Sequence, residues 1–281
     1  MIRPRILVSI VAAAALLGVL MLAEATPSTN SGYVAKITNT VDTGATAQYF
    51  SCTAAEAADK ASAYFQYYLN EGSSSLVAAD SSNSINVGTY QGSMTTSTAT
   101  PLACSRDTGG AYVLNGTTSY VSTLRQYVNP TTFSEEVWFK TTVAGGKLMG
   151  FGNAITGASG QYDRHLYIET TGKLDFGSYN GGIQVVSTPG TVTDGKWHHA
   201  VGTMSAATGM KLYLDGTLVG SNAAYTAPEN YSGYWRVGYD NINGWQNQGT
   251  QYFFTGQLRY AAAYSVVLTA TQVQNHWAAG Q

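Results

Sequence analysis

Between Phe133 and Tyr264 the chain repeats one design: a short stretch in which apolar and polar side chains alternate, then a break at glycine, asparagine or aspartate. The stretches are FSEEVWFKT, GGKLMGFGN, RHLYIETTGKLDFGSY, IQVVST, WHHAVGTM, MKLYLDGTLVGS, YWRVGYD and QYFFTGQLRYAAAY. A period of two sends successive side chains to opposite faces, so each stretch reads as a strand with one inward face. Many short strands with turn punctuation predict two facing antiparallel sheets whose inner faces bury one another. In MKLYLDG, Leu212 and Leu214 share one face while Lys211, Tyr213 and Asp215 share the other. Asp215-Gly216 is a two-residue hairpin signal, because glycine readily enters the positive-φ region of a type I′ turn. Asp215 therefore reads as a turn residue rather than a catalytic acid.

The flanks carry different patterns. Arg3 and Arg5 precede an apolar run from Ile6 to Ala23, and Ala23-Glu24-Ala25 supplies a small-x-small cleavage pattern. Residues 1–25 read as a signal peptide, leaving a mature chain from Thr26 with no transmembrane segment, secreted or held at the cell surface. A retained anchor is the alternative, since the run is near the lower limit for spanning a bilayer. Residues 26–61 read as an N-terminal extension. Within it YVAKITNT alternates as a weak strand, and Thr53 with Glu56 fits a capping box opening a short helix over residues 54–61. AYFQYYLNE then reads as a strand, and the Ser/Thr/Asn/Gly-rich residues 73–101 as an ordered loop. At the other end Thr269 and Gln272 form a second capping box, with Val273 and Trp277 on one face of a short terminal helix that rests on the sandwich.

Export would place the two cysteines in an oxidising compartment. Cys52 and Cys104 are too far apart for a C-x-x-C redox pair and lack nearby histidines for zinc, so they read as one structural disulfide. Charged residues make up 11% of the chain and the formal net charge is -2. Without a basic block, the electrostatic attraction that drives nucleic-acid or anionic-membrane binding is missing. His198 and His199 are neighbours on a strand and face opposite ways, which suits one buried, bonded imidazole and one exposed one better than a shared metal. Asn115-Gly116-Thr117 and Asn230-Tyr231-Ser232 are N-glycosylation acceptors where the machinery exists.

DGKWHH at Asp194–His199, MKLYLDG at Met210–Gly216 and the tail from Phe254-Thr255-Gly256 through Ala263-Tyr264 to Leu268-Thr269 together resemble the laminin-G-like, concanavalin-A-like lectin/glucanase jelly-roll family. YDRHLYIETTGKLDFG and YSGYWRVGYDNINGW look more narrowly like actinobacterial secreted members. The resemblance extends over residues 62–281 and implies an all-β, two-sheet antiparallel jelly-roll sandwich with a short N-terminal extension and a short C-terminal helix. It also implies binding of carbohydrate or protein, sometimes with calcium. The E-x-D-x-x-E strand motif of related retaining glucanases is absent; adjacent Glu135 and Glu136 face opposite ways, and Glu169 and Asp175 straddle a turn. Hydrolysis is accordingly the weakest of three readings.

The leading reading is a non-catalytic binding or cell-envelope module recognising an extracellular glycan or envelope protein. Its candidate ligand-binding residues are Asp240, Asn241 and Trp245 in DNINGW: carboxylate and amide oxygens to orient sugar hydroxyls or help hold calcium, and an indole to cover an apolar sugar face. The same loop also reads as a plain turn with Trp245 packed inward. Asp163-Arg164 reads as an ion pair, structural or at the rim. The second reading is a surface or filament subunit that self-assembles through the YVAKITNT strand.

Overall fold

A computed structural model describes residues 47–281. The expected signal peptide, cleavage site and YVAKITNT strand fall outside the described residues. Two antiparallel sheets face each other. The first runs from β15 (Thr217–Asn222) through β14 (Gly209–Leu214), β13 (Trp197–Ser205), β8 (Phe133–Lys140), β17 (Thr255–Tyr264) and β5 (Ala111–Asn115) to β4 (Thr95–Ser97), with β1 (Ala63–Tyr67) also paired to β17. The second runs from β12 (Ile183–Thr191) through β11 (Lys173–Tyr179), β10 (Tyr162–Ile168), β9 (Lys147–Gly152), β16 (Ser232–Val237), β6 (Tyr120–Thr123) and β3 (Gly88–Gln91) to β2 (Val77–Ala78), with β7 (Tyr127–Val128) on β16. Neighbours far apart in sequence, such as β8 beside β17, give the jelly-roll connectivity.

The alternation puts Phe133, Val137 and Phe139 of β8 into the core between the sheets, against Phe176, Trp235, Leu212 and Leu258. Leu212 is fully buried there, while Leu214, nearer the turn, is only half-buried. Asp215 and Gly216 both have positive φ, 52° and 75°, as the hairpin signal requires.

The outer face of the first sheet is roofed by two helices. The terminal helix α2 (Ala270–Ala279) starts at the predicted capping box, with Thr269 accepting from the Gln272 backbone and Gln272 reaching back. It buries Val273 against Val201, Tyr213 and Leu268, and lays Trp277 over Trp138 with ring centroids 5.2 Å apart. The upstream helix α1 (Cys52–Asp59) begins earlier than its sequence suggests. Its N-cap is Ser51, not Thr53, whose backbone N–H donates to Asp107 while its hydroxyl meets that of Tyr260. Glu56, expected to reach back to the cap, is instead turned inward and buried. The Cys52–Cys104 disulfide ties the start of α1 to the turn before β5, with Cα atoms 5.7 Å apart. Among the described residues no helix is long and apolar enough to cross a membrane.

Candidate ligand-binding site

The outer face of the second sheet is covered by the segment from Tyr239 to Phe254, and the predicted residues lie in that cover. Trp245 is packed inward against β11 and is only 4% exposed, as the plain-turn reading of this loop expected. A Cβ at Gly177 would come within 2.3 Å of its ring, so only glycine there lets the indole down onto the strand. The ring meets His165 edge-on at 4.4 Å and packs with Ile242 and Tyr167. The segment is then fastened at several points: the Tyr167 hydroxyl donates to the Gln246 carbonyl at 2.8 Å, Tyr162 to the Asn243 carbonyl at 2.9 Å, and the Asn247 amide to Glu169 at 2.7 Å.

Asp240 is fully buried. Its carboxylate accepts from the Ser159 backbone N–H (2.9 Å), the Ser159 hydroxyl (2.8 Å) and the Asn241 N–H (2.7 Å), with Arg236 at 3.3 Å and the Lys147 ammonium at 3.8 Å. Burial is the main cause holding Lys147 below the ordinary lysine range, at about 8, with Asp240 acting against it. A calcium ion at Asp240 would have to displace two cations and three donors, so this carboxylate does not fit one. Asn241 closes the loop on itself, donating to the Ser159 carbonyl at 3.0 Å and accepting from Asn243 at 2.9 Å. Asp163 is spent too: it pairs with Arg164 and accepts from Tyr231 at 2.9 Å.

What these fastenings leave open is a hollow of about 220 Å³ at the rim, walled by Tyr162, Tyr179, Ile183 and Trp245 and edged by Gln161, Glu229 and Asn243. Of the three predicted residues Trp245 lines it, while Asp240 and Asn241 stand behind, shaping the loop that forms one wall. Asp163 and Arg164 set the other walls. Asp163 accepts from the backbone N–H groups of Glu229 (3.2 Å) and Tyr179 (3.4 Å), and Arg164 donates to the Glu229 carbonyl at 2.7 Å. Beneath the aromatic wall His165 is fully buried with both ring nitrogens unpaired; burial first, then the Lys147 charge, keep its pKa well below the usual histidine range, so the ring is neutral. Sequence reasoning missed Tyr162 and Tyr179, which sit at the first position of β10 and the last of β11. An aromatic at a strand end beside a turn was the available signal.

A second hollow of about 320 Å³ lies between Val113, Lys140, Thr142 and Gln257. It is larger but contains no aromatic ring.

The histidine pair departs from expectation. His199 is fully buried and bonds Glu136 at 2.5 Å, but His198 is not free: its Nδ1 faces Asp215 at 2.8 Å and its Nε2 faces Asp194 at 3.1 Å. The turn aspartate thus doubles as an anchor, also accepting the His199 N–H at 2.9 Å. Glu136 points to the helix-covered face with Trp138, while the alternation sends Glu135 between the sheets with Phe133 and Val137.

A two-sheet jelly roll whose rim carries an aromatic-walled hollow has the build of a lectin-type sandwich. Residues 115–274, more than half of the chain, match the family described as the Concanavalin A-like lectin/glucanases superfamily, and the chain belongs to it. Among solved structures it is similar to a botulinum neurotoxin type C whose cell entry depends on two ganglioside molecules (13% identity, TM-score 0.56, 80% of this chain and 53% of that one). It is also similar to the binding domain of botulinum neurotoxin DC solved with rat synaptotagmin II (10%, 0.55, 79% and 52%) and to that of Paraclostridial Mosquitocidal Protein 1 (13%, 0.53, 75% and 52%). The chain spans about half the length of these three, and at such identities they show the shared fold. No curated protein sequence matches it.

Proposed function

We propose that this protein is a secreted or surface-held, non-catalytic module that binds a neutral extracellular glycan in the Tyr162–Tyr179–Trp245 hollow. The observation that carries the reading is the lining: three aromatic rings with amides from Gln161 and Asn243 suit the apolar face and hydroxyls of a sugar. Glu229 is the carboxylate of the lining, which holds no Lys or Arg, so a neutral sugar suits it better than an anionic one. One carboxylate also falls short of the pair that glycoside hydrolysis uses. The family is named for lectins as well as glucanases, and the similar type C toxin depends on two ganglioside molecules for cell entry. The YDRHLYIETTGKLDFG and YSGYWRVGYDNINGW segments support placing it with actinobacterial laminin-G-like proteins.

A glycan and cell-wall panel, run with calcium and after chelation, tests the proposal. Saturable binding to a neutral glycan, weakened about tenfold by Tyr179→Ala, is the expected result, a truncation cost typical of an aromatic anchor. Binding lost on chelation would add a calcium requirement. Absence of saturable binding in both arms, or binding indifferent to Tyr179→Ala, removes this site.

A further inference from the structure

Between the two helices and the first sheet, on the opposite side of the molecule's core from the rim hollow, three ionisable side chains meet away from solvent. Glu56 comes from α1, Glu136 from β8 and His276 from α2; one donor atom of each lies within 4.8 Å of the other two. Glu136 Oε1 is 2.9 Å from His276 Nδ1 and 2.5 Å from His199 Nε2, so a second imidazole borders the group. The other ring nitrogen of His276 lies 3.1 Å from Asp59, whose carboxylate is held by the Gln272 amide at 2.6 Å. Glu56 Oε1 is buried with no hydrogen-bond partner, although its sister oxygen faces the Tyr264 hydroxyl at 3.4 Å.

Two buried carboxylates side by side are costly unless positive charge is supplied. Both nitrogens of His276 face carboxylate oxygens, which a neutral imidazole, with one N–H, cannot satisfy alone. Glu56 Oε1, buried and unpartnered, adds an acceptor that no donor meets. A divalent cation would answer both, taking His276 Nδ1 and the two carboxylates as ligands while Nε2–H donates to Asp59. A ligating histidine held through its second nitrogen by a carboxylate is the usual outer arrangement of a zinc site.

We propose that Glu56, Glu136 and His276, bordered by His199, form a structural site for a divalent transition-metal ion, zinc by preference, that pins both helices to the sheet. Imidazole and carboxylate donors at this number suit zinc, whereas calcium takes six to eight oxygens. The site is separate from any glycan-binding role, and its failure would leave that role intact.

Elemental analysis of natively purified mature protein, followed by chelation, refolding and titration with Zn²⁺ or Co²⁺, tests it. The expected result is about one equivalent of metal per chain, a four-coordinate ligand-field spectrum with Co²⁺, and a higher melting temperature for the loaded form. Glu56→Gln should weaken binding by roughly tenfold or more, and the exposed Asp194→Asn should not. Should the stripped chain fail to refold, the metal content of the native sample and nitrogen NMR of its His276 ring decide the matter. Native protein free of metal with both His276 nitrogens protonated, refolded protein that takes up neither ion, or binding unchanged in Glu56→Gln overturns the proposal.

Discussion

Gly177 and His198 show how much of this molecule turns on single side chains. The indole of Trp245 occupies the space a Cβ would fill at Gly177, so Gly177→Ala must lift the ring or bend β11. Overpacking of this kind costs about 1–3 kcal/mol. Urea unfolding should show that loss, and near-ultraviolet circular dichroism should show a changed tryptophan environment; unaltered spectra and stability would place the ring elsewhere. His198 gives the molecule a pH dependence. Burial alone would lower its pKa, but the bonds and charges of Asp215, then Asp194, outweigh that and raise it above the usual histidine range. A raised folded-state pKa means that the imidazolium's contribution is fully present below about pH 6.5 and fades as pH rises through the folded value. Histidine NMR titration should find the His198 midpoint raised, and Asp215→Asn should move it down. An unshifted midpoint would dismiss the pairing.

At the level of elements, α1 depends on partners brought from far along the chain. Its first turn is anchored by a disulfide that closes a separation of 52 residues, and its inner face meets α2 through Asp59 and His276. Reducing the disulfide should cost about 4 kcal/mol in the chain-entropy account. The difference between oxidised and reduced midpoints in denaturant measures it; coincident midpoints would show that α1 holds without the crosslink. These partners also explain what could be read from sequence. The capping box of α2 was legible because Thr269 and Gln272 are three residues apart. The cap of α1 was misplaced because Asp107 and Tyr260, which claim Thr53, are distant in sequence. The Glu56–Glu136–His276 group escaped for the same reason, although a histidine three residues after Val273, on the apolar face of α2, was a hint.

For the whole molecule, period-two alternation made the two sheets legible, since each strand declares its own inner face. The covers were legible only in part: the terminal helix was expected to rest on the sandwich, but the sequence did not show which outer-face residues, Tyr213, Val201 and Trp138 among them, the two helices would bury. The DNINGW segment was recognised as a place of interest, but the sequence could not divide its labour between Trp245, which lines the hollow, and Asp240, which is consumed in holding Ser159. With helices over one sheet and the loop over the other, the proposed recognition falls at the border where the covers end. The crosslink at Cys52 has a mechanical corollary. Tension arriving along the backbone from upstream of Ala47 meets that covalent link within a few residues, and Cys104 passes the load toward β5 in the first sheet before α1 can be peeled away. A copy tethered by its leading end would therefore keep the loop between the two cysteines, α1 included, folded under drag for as long as the surroundings stay oxidising.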